Sequence, residues 1–333
     1  MSKKIGLIGV GAIAEFHVRA LRTAGFEVSG VASRAGSNRV HDFASRLDIA
    51  QVYENWQTLL QGSGQLDALL IATYPNGTPE VMNEAMRLDI PILVEKPVAW
   101  SSSVLAELAS KAHERVFVGY NRRFYRPVQR ARDEVQSGPP LLARLSMPEG
   151  VDPDVKDSNK FYLEPFFENS CHGLDMIRFV FGDLNIDSVK RLKRSDGRLT
   201  GLTAILSTER GDVVQIEGNW GSPSNFALSL HRRGRRFEVC PFEQATVYEG
   251  MEVTEPTEAS PIRRYVPRVI ERIDLDAIDL IEKPGFVAQA QLLSDSVDGK
   301  PTPPEVATLN DACAAIGLCE QLLGMPYPVL AES

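Results

Sequence analysis

The stretch KKIGLIGVGAIAEFHVRAL, residues 3–21, restricts the fold more than any other. It sets a short apolar run, a glycine-rich turn and an amphipathic run end to end. Gly9, Gly11 and Ala14 form a G-x-G-x-x-A pattern where the apolar run gives way to helical spacing. A glycine first permits a tight turn, a glycine second lets a bulky anion approach the backbone, and a small third residue lets helix and strand pack closely. The start of that helix presents N–H groups and the positive end of the helix dipole. A strand, turn and helix of this kind need a parallel sheet around them.

The next hundred residues supply one. Apolar runs recur at 5–10, 28–32, 67–72, 91–95 and 115–119, separated by amphipathic stretches near 12–24, 37–47, 54–61, 78–88 and 102–113. That alternation is the signature of βαβ units. From about residue 140 the texture changes. Residues 202–220 read as two strands around Glu209-Arg210-Gly211-Asp212, and 226–240 as a hairpin turning near Arg233-Gly234. Successive hairpins indicate a mostly antiparallel sheet. Helices are expected at 285–298 and 308–323. The expected fold is therefore α/β: a doubly wound parallel domain over 1–122, then an α+β domain over 123–333 built on an open, mostly antiparallel sheet. The helix at 308–323 is free to pack back on the first domain.

Charge and cysteines narrow the classes. With 36 basic and 44 acidic residues the net charge is −8, which gives no global attraction to nucleic acid or an anionic membrane. Cys171, Cys240, Cys313 and Cys319 make no Cys-x-x-Cys pair and no metal-spaced cluster, so no metal is expected and reduced thiols in a cytoplasmic protein are. Lys3 and Lys4 ahead of an apolar run mimic a secretory leader, but the run is glycine-rich and broken by Glu15, so it reads as a first strand. No apolar run reaches the roughly 20 residues that span a bilayer.

Candidate site residues cluster where strands end. Gly9, Gly11, Ala12 and Ile13 are placed to hold the pyrophosphate of a dinucleotide. An acidic residue about 20 positions on would bind a ribose 2′-hydroxyl, whereas arginine suits a 2′-phosphate. The second strand ends in Ser33 and Arg34, with Arg39 nearby and no carboxylate, so NADP is favoured over NAD. Thr73, Tyr74, Pro75 and Asn76 follow a strand and are candidate cofactor contacts, as are Glu95 and Lys96. Charged residues rarely end a core strand unless something there needs them. Pro97 constrains how Lys96 projects, and an ammonium held beside nicotinamide stabilises alkoxide character on a substrate oxygen as hydride leaves.

Farther on, at about 100° per residue, Glu168, His172 and Asp175 share one helical face, with Leu174, Ile177 and Phe181 opposite. Of five histidines only His172 has such a setting; it can exchange a hydroxyl proton, and a carboxylate one turn away can orient it. His17, His41, His113 and His231 read as packing or surface residues. Asn121, Arg122 and Arg123 sit at the domain junction and suit an anionic or polyhydroxyl substrate. The basic HRRGRRF, 231–237, reads as a solvated hairpin tip, with a phosphate contact as the sharper option.

Together, G-x-G-x-x-A at 9–14, Glu95-Lys96-Pro97, GYNRRF at 119–124 and His172-x-x-Asp175 resemble the glucose-fructose oxidoreductase / inositol dehydrogenase / rhizopine-catabolism (Gfo/Idh/MocA) family over at least residues 1–182. The resemblance implies a Rossmann domain, an open-faced α/β domain and NAD(P)-dependent chemistry at a sugar-like hydroxyl or carbonyl. It implies that Lys96 contacts nicotinamide and substrate and that His172 is the acid/base. Glu168 stands where the family often has Asp, FFENS replaces a Gly-rich turn, and Thr78 stands where a His is frequent. The ENS-x-H form is similar to members from surface-polysaccharide and nucleotide-sugar pathways, which adds Asn169 to the substrate-binding set of Lys96, Asn121, Arg123 and His172. The expected catalytic residues are Lys96, His172 and Glu168. The alternatives are an NAD-dependent inositol or free-sugar dehydrogenase, and a non-catalytic NAD(P) sensor that binds a protein. An exposed sheet face in the second domain would need a cover, so a homodimer or homotetramer is expected.

Overall fold

The computed structural model describes residues 2–154 and 161–328. Two compact units are present, Met1–Phe124 with Ala277–Ser333, and Tyr125–Asp276. The first begins β1 (Lys3–Ile8), α1 (Ala12–Thr23), β2 (Phe26–Ala32), α2 (Arg39–Arg46), β3 (Gln51–Val52) and α3 (Trp56–Gln61). It continues β4 (Ala68–Ile71), α4 (Thr78–Ala85), β5 (Ile92–Val94), α5 (Ser102–Lys111) and β6 (Val116–Val118). The strands pair in parallel in the order β3-β2-β1-β4-β5-β6. Every residue of β4, β5 and β6 is buried. Strands covered on both faces must be apolar throughout, which is why they appear in the sequence as unbroken runs. The order reverses between β1 and β4, and the carboxyl ends of strands flanking such a switch point form a crevice.

The second unit contains α6 (Arg126–Gln136), β7 (Leu142–Met147), α7 (Cys171–Phe181), β8 (Asn185–Lys193), β9 (Leu199–Ser207) and β10 (Val213–Gly218). Then come β11 (Ala227–Arg232), β12 (Arg235–Val239), β13 (Gln244–Thr254) and β14 (Arg264–Asp274). The sheet order is β14-β13-β12-β11-β7-β10-β9-β8, antiparallel except where β7 meets β10. The hairpins expected at 202–220 and 226–240 are β9–β10 and β11–β12, the latter turning at Gly234 with φ 75°. The long β13–β14 hairpin was not expected. Pro267 demotes its second strand in a sequence reading, and β14 is indeed an edge, where a missing N–H costs nothing.

The chain then returns to the first unit with α8 (Phe286–Val297) and α9 (Leu309–Leu323). The second unit thus ends at Asp276, whereas the sequence reading carried the second domain to 333. The reason is apolar burial. Phe286, Ala290 and Leu293 of α8 join Val18 and Leu21 of α1 in one core. Lys3 Nζ also reaches Ser294 Oγ and Asp298 Oδ2, at 2.6 and 2.7 Å.

Arg123 ties α9 to this unit. Its side chain is 4% exposed, and its guanidinium lies 3.0 Å from Asp311 Oδ1 and donates to Val306 O. Burial pushes the Asp311 carboxyl up, but the Arg123 charge and the Thr308 N–H outweigh it and hold it below the usual carboxylate value. A depressed carboxyl adds stability above its unfolded value of 3.8, and that stability fades as pH falls through the lower folded value. Arg123→Met is expected to lose about 2–4 kcal/mol near neutral pH, since it strands a partly buried carboxylate. Urea titrations should show the deficit shrinking below about pH 4.

Candidate active site

The glycine-rich turn is wedged into the switch point. Gly9 has φ +107°, and an added Cβ would lie 2.2 Å from the Ala72 carbonyl oxygen beyond β4. Its N–H donates to Ala32 O at the end of β2, at 2.9 Å. Only glycine meets both demands. At Gly11 an added Cβ would meet nothing within 4 Å, so space lies open before the turn. Gly11 caps α1 with no side-chain hydrogen bond to the first turn, which leaves the Ala12 and Ile13 end of the helix uncapped by side chains. Open space at a helix start without a side-chain cap fits a dinucleotide pyrophosphate. Ala14 is fully buried, as a close helix–strand contact requires.

Ser33 and Arg34 follow directly from the β2 end that Gly9 bonds, and Arg34 is exposed. Beyond β4, side chains largely hold the turn together. Thr73 Oγ1 lies 2.7 Å from Thr78 Oγ1, and Asn76 Oδ1 accepts from Trp100 Nε1 at 2.7 Å. Asn76, expected as a cofactor contact, therefore has that oxygen committed to Trp100. Tyr74 is 53% exposed and meets Trp100 edge-on at 5.7 Å. Pro75 lies in the turn between β4 and α4.

Lys96 follows β5 one residue after Glu95, on the same carboxyl edge as Gly9 and Thr73. Glu95 is turned inward. Its Oε1 lies 2.6 Å from His17 Nε2 and its Oε2 accepts the Lys96 backbone N–H at 3.1 Å. Burial pushes the Glu95 carboxyl up, yet the His17 hydrogen bond and charge and the Lys96 ammonium hold it below the ordinary range. So Glu95, expected to touch cofactor, has its carboxylate engaged within its own unit. His17, read as a packing residue, is 1% exposed and bonded to that carboxylate. A signal was present: Ala14, His17, Val18 and Leu21 fall on one helical face, which puts an imidazole among core residues.

In the second unit, residues Phe166–Ser170 form a π-helical turn leading into α7. The spacing of 100° per residue assumed in the sequence therefore holds only from Cys171 onward, where His172 and Asp175 share a face at i and i+3. Glu168 lies in the π turn and its carbonyl accepts from Cys171 Sγ at 3.3 Å. Such turns are frequent at functional sites. Every residue of α7 except Arg178 is buried, so the face carrying His172 is as enclosed as the face carrying Leu174, Ile177 and Phe181. Asn169 Nδ2 and Ser170 Oγ donate to Glu149, at 3.3 and 2.9 Å. Glu149 is 6% exposed, and the sequence reading passed over it. It ends the stretch after β7 as Lys96 does after β5, so the same argument applied to it.

Asn121 and Arg123 differ most from expectation. Asn121 Nδ2 donates to Pro284 O at 2.8 Å, and Arg123 is paired with Asp311. Both fasten the returning C-terminal segment. Among the described residues no three His, Cys, Asp or Glu side chains are grouped to hold a metal ion.

A family model for oxidoreductases with an NAD-binding Rossmann fold, Gfo/Idh/MocA, matches residues 3–120. The rhizopine catabolism protein MocA of Rhizobium meliloti is 25% identical over 332 residues, covering 95% of this chain and 93% of that protein. Residues 3–120 therefore match the NAD-binding Rossmann part of the Gfo/Idh/MocA oxidoreductases, and the similarity to MocA runs over nearly the whole chain. Inositol 2-dehydrogenase of Acidothermus cellulolyticus is 30% identical over 198 residues, 57% of this chain and 56% of that one. The fold matches the myo-inositol dehydrogenase of Lactobacillus casei, solved with NAD(H) and myo-inositol, at TM-score 0.71 and 18% identity over 100% of this chain and 98% of that one. The NAD-binding Rossmann match and the relatives named as dehydrogenases support a dehydrogenase acting on CH–OH groups over the sensor reading.

Proposed function

We propose that this oxidoreductase interconverts a secondary hydroxyl and a carbonyl on a sugar or cyclitol in the cytoplasm, preferring NADP(H). One observation carries the reading. Gly9, Gly11, Ser33 and Lys96 follow strands of one parallel sheet at its carboxyl edge, where a dinucleotide and its substrate meet. When bound, the nicotinamide accepts or donates the hydride. In the oxidative direction Lys96 Nζ donates a hydrogen bond to the hydroxyl oxygen and stabilises its growing negative charge. His172 takes the hydroxyl proton on imidazole Nε2 and returns it to the oxygen in the reductive direction. Glu168 and Asn169, from the π turn before α7, orient the imidazole and the neighbouring hydroxyls. Holding both reactants supplies the orientation that a bimolecular encounter lacks.

The ion pairs favour a neutral substrate over a nucleotide-sugar. Arg232 and Arg235 are both committed to Glu134, and the Arg236 guanidinium lies 4.0 Å over the Tyr248 ring. Arg123 is likewise spent on Asp311. A diphosphate would have to compete with these partners. The apolar side chains Met251, Val253, Tyr265, Val266 and Val269 are exposed on the β13–β14 hairpin, which supports a homodimer or homotetramer covering them.

The test is nicotinamide absorbance against cyclitols, free sugars and nucleotide-sugars, with NAD⁺ and NADP⁺ in parallel. Turnover on a neutral polyol with higher kcat/KM for NADP⁺ is expected, and Arg34→Ala should erase about tenfold of that preference, one charge-assisted phosphate contact. Turnover confined to nucleotide-sugars would overturn the neutral-substrate reading. An unchanged cofactor ratio in Arg34→Ala would overturn the role of Arg34.

A further inference from the structure

Glu95 sits where four pieces of the first unit converge. It ends β5. Its Oε1 meets His17 of α1, and its Oε2 accepts the N–H of Lys96. An added Cβ at Gly119, just past β6, would lie 3.2 Å from the carboxylate carbon and both its oxygens. The fourth piece is α8, whose Phe286 ring lies 4.4 Å from the imidazole of His17, centroid to centroid. Glu95 is 8% exposed and His17 is 1% exposed. A carboxylate accepts only, so Nε2 of His17 is the donor. Burying a charged carboxylate is costly unless it is paired and hydrogen-bonded. Leu or Met would fill the same volume without that cost. What Leu and Met cannot do is grip a backbone N–H on one side and a helix on the other.

That helix is the one whose first turn faces the space before Gly11. From Ala12 to His17 the rise along α1 is about 7.5 Å. The pair therefore joins the helix that receives the pyrophosphate to the backbone of the residue that meets the substrate.

We propose that His17 and Glu95 are a positioning pair for Lys96: His17 Nε2 fixes one carboxylate oxygen, and the other fixes the Lys96 amide, which registers the ammonium against a cofactor seated on α1. This rests on the reading that Lys96 acts in the reaction. Neither His17 nor Glu95 touches substrate. Their contribution is geometric, and a misplacement of about 1 Å in a reacting group can cost on the order of 100-fold in rate.

The test uses the full chain with cofactor and the best substrate of the panel. His17→Phe keeps a ring beside Phe286 and removes the donor. His17→Gln carries an amide N–H at about the reach of Nε2. Lys96→Met runs alongside. For each variant kcat, KM, the dissociation constant of the reduced cofactor by fluorescence, and Tm are read. The expected result is a fall in kcat of about 10- to 100-fold in His17→Phe, the usual size of an outer-shell loss. KM and cofactor affinity should stay within about threefold, and His17→Gln should recover most of kcat. Glu95→Gln keeps an acceptor for the Lys96 N–H and a group facing His17, so it should lose less than His17→Phe. If His17→Phe keeps wild-type kcat while Lys96→Met loses about 10³, the inference falls and the reading of Lys96 stands. If Lys96→Met itself turns over normally, that reading falls and takes the inference with it. Equal losses in His17→Phe and His17→Gln, in step with lowered Tm, would make the pair structural and overturn the proposal.

Discussion

Lys96→Met is expected to lower kcat by about 10³ while the chain still folds and still binds reduced cofactor. Methionine keeps most of the length and the apolar stem of lysine and removes the charge and its donors. The Lys96 backbone N–H, which Glu95 Oε2 holds at 3.1 Å, is untouched by the substitution. So the change is confined to the ammonium. Losing one donor aimed at developing oxyanion charge costs about 10²–10³ in kcat, and a donor that carries a full positive charge should sit at the upper end. The loss should appear equally in kcat and kcat/KM if the contact strengthens only as the oxygen gains charge. A tenfold rise in KM with kcat intact would instead show that Lys96 binds the ground state and does no chemistry. Cofactor affinity by fluorescence and Tm are the controls that keep this from being a folding defect.

The parts of the molecule that were legible in the sequence share a physical cause. β4, β5 and β6 are enclosed on both faces, so their apolar runs announce them without alternation. Gly9 was legible because its turn tolerates no side chain. Lys96 was legible because a charge at the end of a buried strand is anomalous. By that logic Glu149 after β7 and His17 on the apolar face of α1 were equally visible, and each turned out to hold a hydrogen-bonded pair. The tertiary contacts of Asn121 and Arg123 were hidden for a different reason. Their partners lie 163 to 188 residues away in the chain, at Pro284, Val306 and Asp311, and no local pattern encodes such a contact. The π turn at 166–170 was also hidden, because one extra residue per turn leaves the apolar composition unchanged.

The β13–β14 hairpin shows the limit of periodicity. Its pairing register shifts between Val247 and Tyr248 and again before Met251, with Gly250 at φ +68°. Each shift breaks the period of two that a strand would display in sequence. Most of its outer half is exposed, so burial does not impose a pattern either.

His172→Ala is expected to lower kcat by about 10²–10⁴, the usual worth of a positioned general acid or base. His172 is 7% exposed on a helix buried nearly all round, so truncation also leaves a small cavity; His172→Gln, closer in volume, guards against reading a packing defect as chemistry. The two substitutions should agree in kcat and differ in Tm. Their pH profiles should separate them from Lys96→Met. In the oxidative direction an imidazole must be neutral to take the hydroxyl proton, so wild-type kcat should carry an acid limb that depends on it. Without the imidazole that limb should vanish and the residual rate should follow hydroxide. Lys96→Met should keep the limb at a lower rate, because its imidazole is intact. The double variant then decides whether the two residues act on one hydroxyl. Lys96 belongs to the first unit and His172 to the second. If they stabilise the same transition state, removing both should cost little more than removing the more important one, as for groups that work as a unit. Multiplicative losses would mean that each acts on a separate event, and the shared-substrate mechanism would be abandoned.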